Sequence, residues 1–99
     1  MAANLTEVTN LFGVLSDATR LGIVLLLAKG EANVGTICEA LTLLQPTASH
    51  HLGLLRMNRV VVARRKGKTV LYTLAPHVKV SGGKIKIAVP PFTVTLERA

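Results

Sequence analysis

The sequence predicts an α+β domain, mainly α with a β wing: a winged helix-turn-helix that ends in an unusual C-terminal β-hairpin. Three observations carry this expectation. Apolar residues recur at helical spacing as far as Met57, and a tight link at Thr42 to Leu44 separates two of the helical segments. From Val60 onward the pattern becomes extended, with β-branched residues alternating on either side of Lys66-Gly67.

Leu5, Val8, Leu11, Phe12 and Leu15 place a first amphipathic helix over Asn4 to Leu15. Ser16 or Asp17 can cap a second helix by accepting from its free backbone amides. Lys29-Gly30 then supplies a basic last turn and a left-handed stop. The intervening ATRLGIVLLLA is apolar nearly all round, so this helix belongs at the centre of the core. Asn33 can cap a third, short helix with Val34, Ile37, Cys38 and Leu41 inside. A fourth begins at Gln45, with Pro46 in the first turn, where its missing N–H costs nothing. Two short helices joined in this way form a helix-turn-helix, although the link lacks the glycine such turns often contain. VVVARR and KTVLYTL then form a hairpin with a basic tip, and Pro76 ends it. In the tail, HVKV leads to a linker-like Ser81-Gly82-Gly83 and two further strands. Ile85, Ile87 and Val89 line one face, and Phe92, Val94 and Leu96 line another. Residues 1–76 are thus expected to form the winged helix-turn-helix domain, and residues 77–99 a strand-rich extension that dimerises or packs on it.

The 99 residues allow one core, and a chain that is 49% apolar but only 3% aromatic leaves apolar surface for a second copy. The formal charge of +7 is unevenly placed. Residues 1–49 hold Arg20 and Lys29 against Glu7, Asp17, Glu31 and Glu39; residues 50–99 hold every other lysine and arginine against Glu97 alone. A basic half beside an acidic half is the footprint of an anionic partner such as nucleic acid. The lone Cys38 cannot form an internal disulfide and reads as a small buried side chain, which suits a reducing compartment. MAANLTEVTN lacks the basic start and apolar run of a secretory signal, and no apolar run approaches the length of a membrane span, so a cytoplasmic protein is expected.

His50 and His51 decide the kind of site. Turned at about 100° per residue, the fourth helix puts Ala48, His51, Leu52 and Leu55 on its packing side. Pro46, Ser49, His50, Gly53 and Met57 fall opposite, with Gln45, Thr47 and Leu54 near the edges. Adjacent helical histidines diverge, whereas helical zinc pairs stand four residues apart on one face. No acid lies in this helix to orient an imidazole, and no nucleophile is set beside it, so no catalytic arrangement is expected. His51 reads as a packed, hydrogen-bonded histidine.

The outward face is small, polar and free of acids. Ser49 and His50 can exchange hydrogen bonds with base edges or phosphates, Gln45 has the amide fork suited to adenine, and Thr47 offers a hydroxyl and a methyl. The same face also reads as merely solvated. The wing favours DNA, because Arg56, Arg59, Arg64, Arg65, Lys66 and Lys68 follow with no acid among them. Gly53 costs the helix about 1 kcal/mol against alanine, a cost that close approach to the groove would justify.

Taken together, LSDATRLGIVLLLAKGE, QPTASHHLGLLR and VVVARRKGKTVLYTL resemble the second helix, recognition helix and wing of the ArsR/SmtB family of winged-helix repressors, over Leu15 to Leu74. The resemblance implies a homodimeric repressor that binds double-stranded DNA at a palindromic operator and leaves it when an effector binds. It places major-groove contacts at Gln45, Thr47, Ser49 and His50 on a recognition helix spanning 45–57. Backbone contacts fall to Arg56 and to Arg64, Arg65, Lys66 and Lys68 of a wing spanning 60–74. The family's sensors do not carry over. Asn33-Val34-Gly35 stands where arsenic sensors have a Cys-x-Cys pair, and the C-terminal helix that supplies zinc ligands and much of the dimer interface is replaced by strands. Cys38, His50, His51 and His77 are scattered over separate elements, so no metal, no cofactor and an unknown effector are expected. Two other readings use the same residues: a nonspecific architectural DNA-binding protein, and a winged-helix module that docks on another protein.

Overall fold

A computed structural model of the chain describes residues 3–99. The elements run α1 (Ala3–Leu15), α2 (Ala18–Leu27), α3 (Val34–Leu41), α4 (Gln45–Met57), β1 (Val61–Lys66), β2 (Thr69–Leu74), β3 (Val78–Ser81), β4 (Lys84–Val89) and β5 (Phe92–Glu97). No single described helix is long and apolar enough to cross a membrane.

The helix starts follow local chemistry. The Asp17 carboxylate accepts from the Arg20 amide at 3.0 Å, and the Asn33 side chain accepts from the Thr36 amide at 2.8 Å. The Arg20 amide, reinforced by the charge of the Arg20 guanidinium, holds the Asp17 carboxyl below its ordinary range. The stops differ more from expectation. α2 ends at Leu27, so Lys29 lies past the last turn; Gly30 takes φ 151°, a value few other residues adopt.

The helix-turn-helix link needs a left-handed residue, and Thr42 supplies it at φ 54°, ψ 56°. Its β-branched side chain makes this a strained position, held because the Leu43 amide returns to the Cys38 carbonyl at 2.9 Å. Arg59 does the same for α4 at φ 58°. The Val60 amide reaches the Leu55 carbonyl at 2.9 Å and the Arg59 amide reaches Arg56 at 3.0 Å, so that Val60 and Leu55 close the helix end as a buried apolar pair.

One core serves all the elements. Ile23, Val24 and Leu27 of α2 sit at its centre with Ile37, Leu52, Leu55, Val60 and Val61. On α1 the buried residues are Val8, Leu11 and Val14, whereas Leu5 and Phe12 are exposed, Phe12 to 55%. The expected stripe is therefore rotated toward Val14, because the surface that α1 meets is partly the tail: α1 packs on β4 as well as α2.

β1 and β2 pair antiparallel from Val61 opposite Leu74 to Lys66 opposite Thr69, leaving Gly67-Lys68 as a two-residue turn in which Gly67 has φ 64°. Ala32 adds a single-residue bridge to Tyr72, with backbone hydrogen bonds of 3.1 and 2.8 Å, which anchors the hairpin to the entrance of α3. The tail holds three strands in the order β3-β4-β5, with HVKV contributing the additional one. Ser81-Gly82-Gly83-Lys84 is a tight hairpin turn and not a linker: Gly82 and Gly83 both take positive φ, 57° and 79°, as a type I′ turn requires. Ile85, Ile87 and Val89 are buried on the expected face and belong to the same core as the helices.

Candidate nucleic-acid interface

The fourth helix is fixed from behind. Ala48, Leu52 and Leu55 are fully enclosed where α4 packs on α2, α3 and β1. Their burial turns Gln45, Pro46, Thr47, Ser49, His50, Gly53, Arg56 and Met57 to solvent, as the helical wheel predicts. This exposed surface contains no carboxylate. At the start of α4, Leu44 occupies the capping position with no side-chain hydrogen bond, so the first-turn amides have no acceptor from a capping side chain.

The two histidines divide as expected. His50 is exposed, and His51 is only 15% exposed at its side chain and lies in a polar seam between helices. The Arg20 guanidinium stands 3.2 Å from His51 Nδ1 and donates through Nε to the Val14 carbonyl at 2.7 Å; Asp17 Oδ2 is 3.8 Å from the same imidazole nitrogen. A guanidinium only donates, so Nδ1 is the acceptor and the imidazole proton rests on Nε2. Arg20 thereby joins α1, α2 and α4 through one side chain. Sequence reasoning missed this role, because a single arginine on a helix ordinarily reads as a solvated charge. The imidazole centroids of His50 and His51 are 5.5 Å apart and inclined by 61°, and no group of three His, Cys, Asp or Glu residues among the described residues is placed to hold a metal ion. Cys38 is half-buried.

Continuous chain links α4 to the hairpin through Asn58, Arg59 and Val60, and α4 packs directly on β1. The cations there are not equivalent. Arg64 donates to Glu31 Oε2 from Nη2 at 2.7 Å and from Nε at 3.3 Å, bracing the hairpin against the segment before α3. Among the described residues, Arg56, Arg65, Lys66 and Lys68 form no ion pair and are exposed. The structure therefore leaves Gln45, Thr47, Ser49 and His50 exposed around the solvent side of a helix seated on the core, with Gln45 and Thr47 at its opposite edges, and Arg56 and the cationic hairpin follow in the chain.

Gly53 lies on this same face, and a Cβ built there meets no atom within 4 Å. Its absence is therefore not required by packing. Gly53→Ala should stabilise the protein by about 1 kcal/mol, read as a higher denaturation midpoint at unchanged slope.

Residues 17–62 match the family model described as bacterial regulatory protein, arsR family. The chain is 49% identical over 76 residues to the arsenical resistance operon repressor of Escherichia coli, covering 76% of this chain and 65% of that protein. It is 38% identical over 65 residues to the transcriptional repressor SdpR of Bacillus subtilis, covering 66% and 72%. Among solved structures, a homodimeric winged helix-turn-helix DNA-binding domain from Mycobacterium bovis superposes with a TM-score of 0.69 at 37% identity, over 72% of this chain and 66% of that one. The chain spans about two thirds of the length of these relatives. The matched region contains Asp17, Arg20, the link at Thr42 and the whole of α4, so the geometry described above falls within it. The chain belongs to the arsR family of bacterial regulatory proteins.

Proposed function

We propose that this protein is a sequence-specific transcriptional repressor that acts in the cytoplasm as a homodimer on double-stranded DNA. The observation that carries the reading is the acid-free outer face of α4, held by a buried inner face and continued by the unpaired cations of the hairpin. In this reading Gln45, Thr47, Ser49 and His50 meet base edges in the major groove, and the uncapped first turn of α4 receives a phosphate. Arg56, Arg65, Lys66 and Lys68 contact the backbone, while Arg64 holds the wing in place through Glu31. The two recognition helices of a dimer would stand roughly 34 Å apart, one turn of DNA. We assign this arrangement no catalytic role. Residues 77–99 serve dimerisation.

Fluorescence anisotropy with the duplex upstream of the gene and a scrambled duplex, across a salt series, tests the proposal. A preference of at least about a thousandfold for the upstream duplex is expected. Replacing Arg65, Lys66 and Lys68 together with alanine should reduce the slope of log K against log salt by about 5, because each phosphate contact contributes roughly 0.9 and both protomers of the dimer lose three. Equal affinity for both duplexes would replace the specific repressor with a nonspecific DNA-binding protein. Absence of binding to either would overturn the DNA reading.

A further inference from the structure

We propose that β5 is the contact between two copies of this chain: their free edges pair antiparallel about Val94, joining two three-stranded sheets into one of six strands. The inference rests on the homodimer reading and names its surface.

The strand order β3-β4-β5 leaves one side of β5 unpaired. The Ala88 amide donates to the His77 carbonyl at 3.3 Å, so the Ala88 backbone faces β3. Backbone direction alternates along a strand, which turns Ile85, Ile87 and Val89 toward β5 and their partners Leu96, Val94 and Phe92 back toward β4. Thr93, Thr95 and Glu97 therefore present their amides and carbonyls on the open side. Edges of proteins that remain monomeric are commonly shortened, or blocked by proline or lysine. β3 follows that rule, with four residues and Lys79 among them; β5 has six residues, FTVTLE, and neither device.

The strand is also complementary to itself. Read outward from Val94, it offers a threonine on each side and then an apolar residue on each side. Antiparallel pairing about Val94 sets Thr93 against the partner's Thr95 in a hydrogen-bonded pair, and Phe92 against the partner's Leu96. Val94 then faces the partner's Val94 in the closer, non-hydrogen-bonded kind of pair. Phe92, Val94 and Leu96 share the face of Val89, Ile87 and Ile85, which is the core side of the sheet. Pairing would lay two apolar rows side by side and cover Phe92, now 40% exposed. No like charges meet, since Glu97 falls opposite the partner's Pro91. The match of pattern, direction and open hydrogen-bonding groups makes a second copy the occupant.

Two variants of the full chain test this. Val94→Cys, made with Cys38→Ala, should cross-link on mild oxidation. A self-opposed non-hydrogen-bonded pair separates the Cα atoms by about 4.5 Å, inside the disulfide range of roughly 4.4–6.8 Å. Thr69→Cys in the same background, on the wing, should not cross-link under those conditions. Thr95→Pro removes only an outward-facing amide, so it should sediment as a monomer while retaining the circular dichroism of the parent. Failure of Val94→Cys to cross-link, or a Thr95→Pro dimer, would overturn the β5 contact. If the parent still sediments as a dimer, the homodimer reading survives that failure. A monomeric parent would end both.

Discussion

Ser49→Glu should abolish specific DNA binding, lowering affinity for the operator duplex by at least roughly a hundredfold, or about 2.8 kcal/mol at 1.4 kcal/mol per decade. Ser49 is exposed on the outer face of α4, on a surface that carries no acid. A carboxylate there would lose the hydroxyl's donor and set a negative charge against base-edge acceptors and phosphates, where each well-made contact contributes about 1–3 kcal/mol. The fold should not suffer. Glutamate is at least as good a helix former as serine, and the side chain extends into solvent. The measurement is anisotropy beside thermal unfolding: near-parental affinity for the variant would remove Ser49 from the interface, whereas a large fall in unfolding temperature would mark a folding effect. His50→Glu should behave in the same way, because His50 shares the exposed face. His51→Glu should not: it would place a carboxylate against Arg20 and near Asp17, inside the fold.

The contrast between His50 and His51 was legible in the sequence because the period of a helix separates neighbours, and three buried apolar residues on one side decide where the rest must point. Local chemistry also made Asp17, Asn33 and Pro46 readable: each satisfies, or does not need, a hydrogen bond within a few residues of itself. Contacts between distant residues were not readable. Arg20 reaches a carbonyl on α1 and an imidazole on α4, and Glu31 meets Arg64 across the fold. No spacing rule joins such pairs, which is why Arg64 reads from sequence as a free cation and is held in the structure. Phe12 and Val14 fall on different sides of α1, and which side is buried depends on β4, a strand far along the chain at Lys84–Val89. The left-handed residue of the helix-turn-helix link was hidden for another reason. Glycine is the usual signal for that conformation, and Thr42 adopts it under the constraint of the surrounding hydrogen bonds. The bridge from Ala32 to Tyr72 is one residue long, too short for any alternation to announce it.

The opposite face of the same helix should respond in the opposite way. Leu52→Ala should destabilise the fold by about 2–5 kcal/mol, the range for truncating an enclosed leucine. Leu52 is 1% exposed and belongs to the cluster of Ile23, Val24, Ile37 and Leu55, so the cavity left behind would lie where α2, α3 and α4 converge. A domain of this size is stable by roughly 5–15 kcal/mol in total. At about 4–8 °C per kcal/mol, the midpoint should fall by at least roughly 8 °C. Because DNA binds only the folded chain, the operator duplex should raise the unfolding temperature of Leu52→Ala, as it does for the parent, through mass action. It should leave that of Ser49→Glu unmoved. Two thermal scans per variant, with and without duplex, therefore separate the residues that hold α4 from those that face DNA. A Leu52→Ala midpoint within 2 or so degrees of the parent (about 0.5 kcal/mol or less) would show that α4 is not seated on this core.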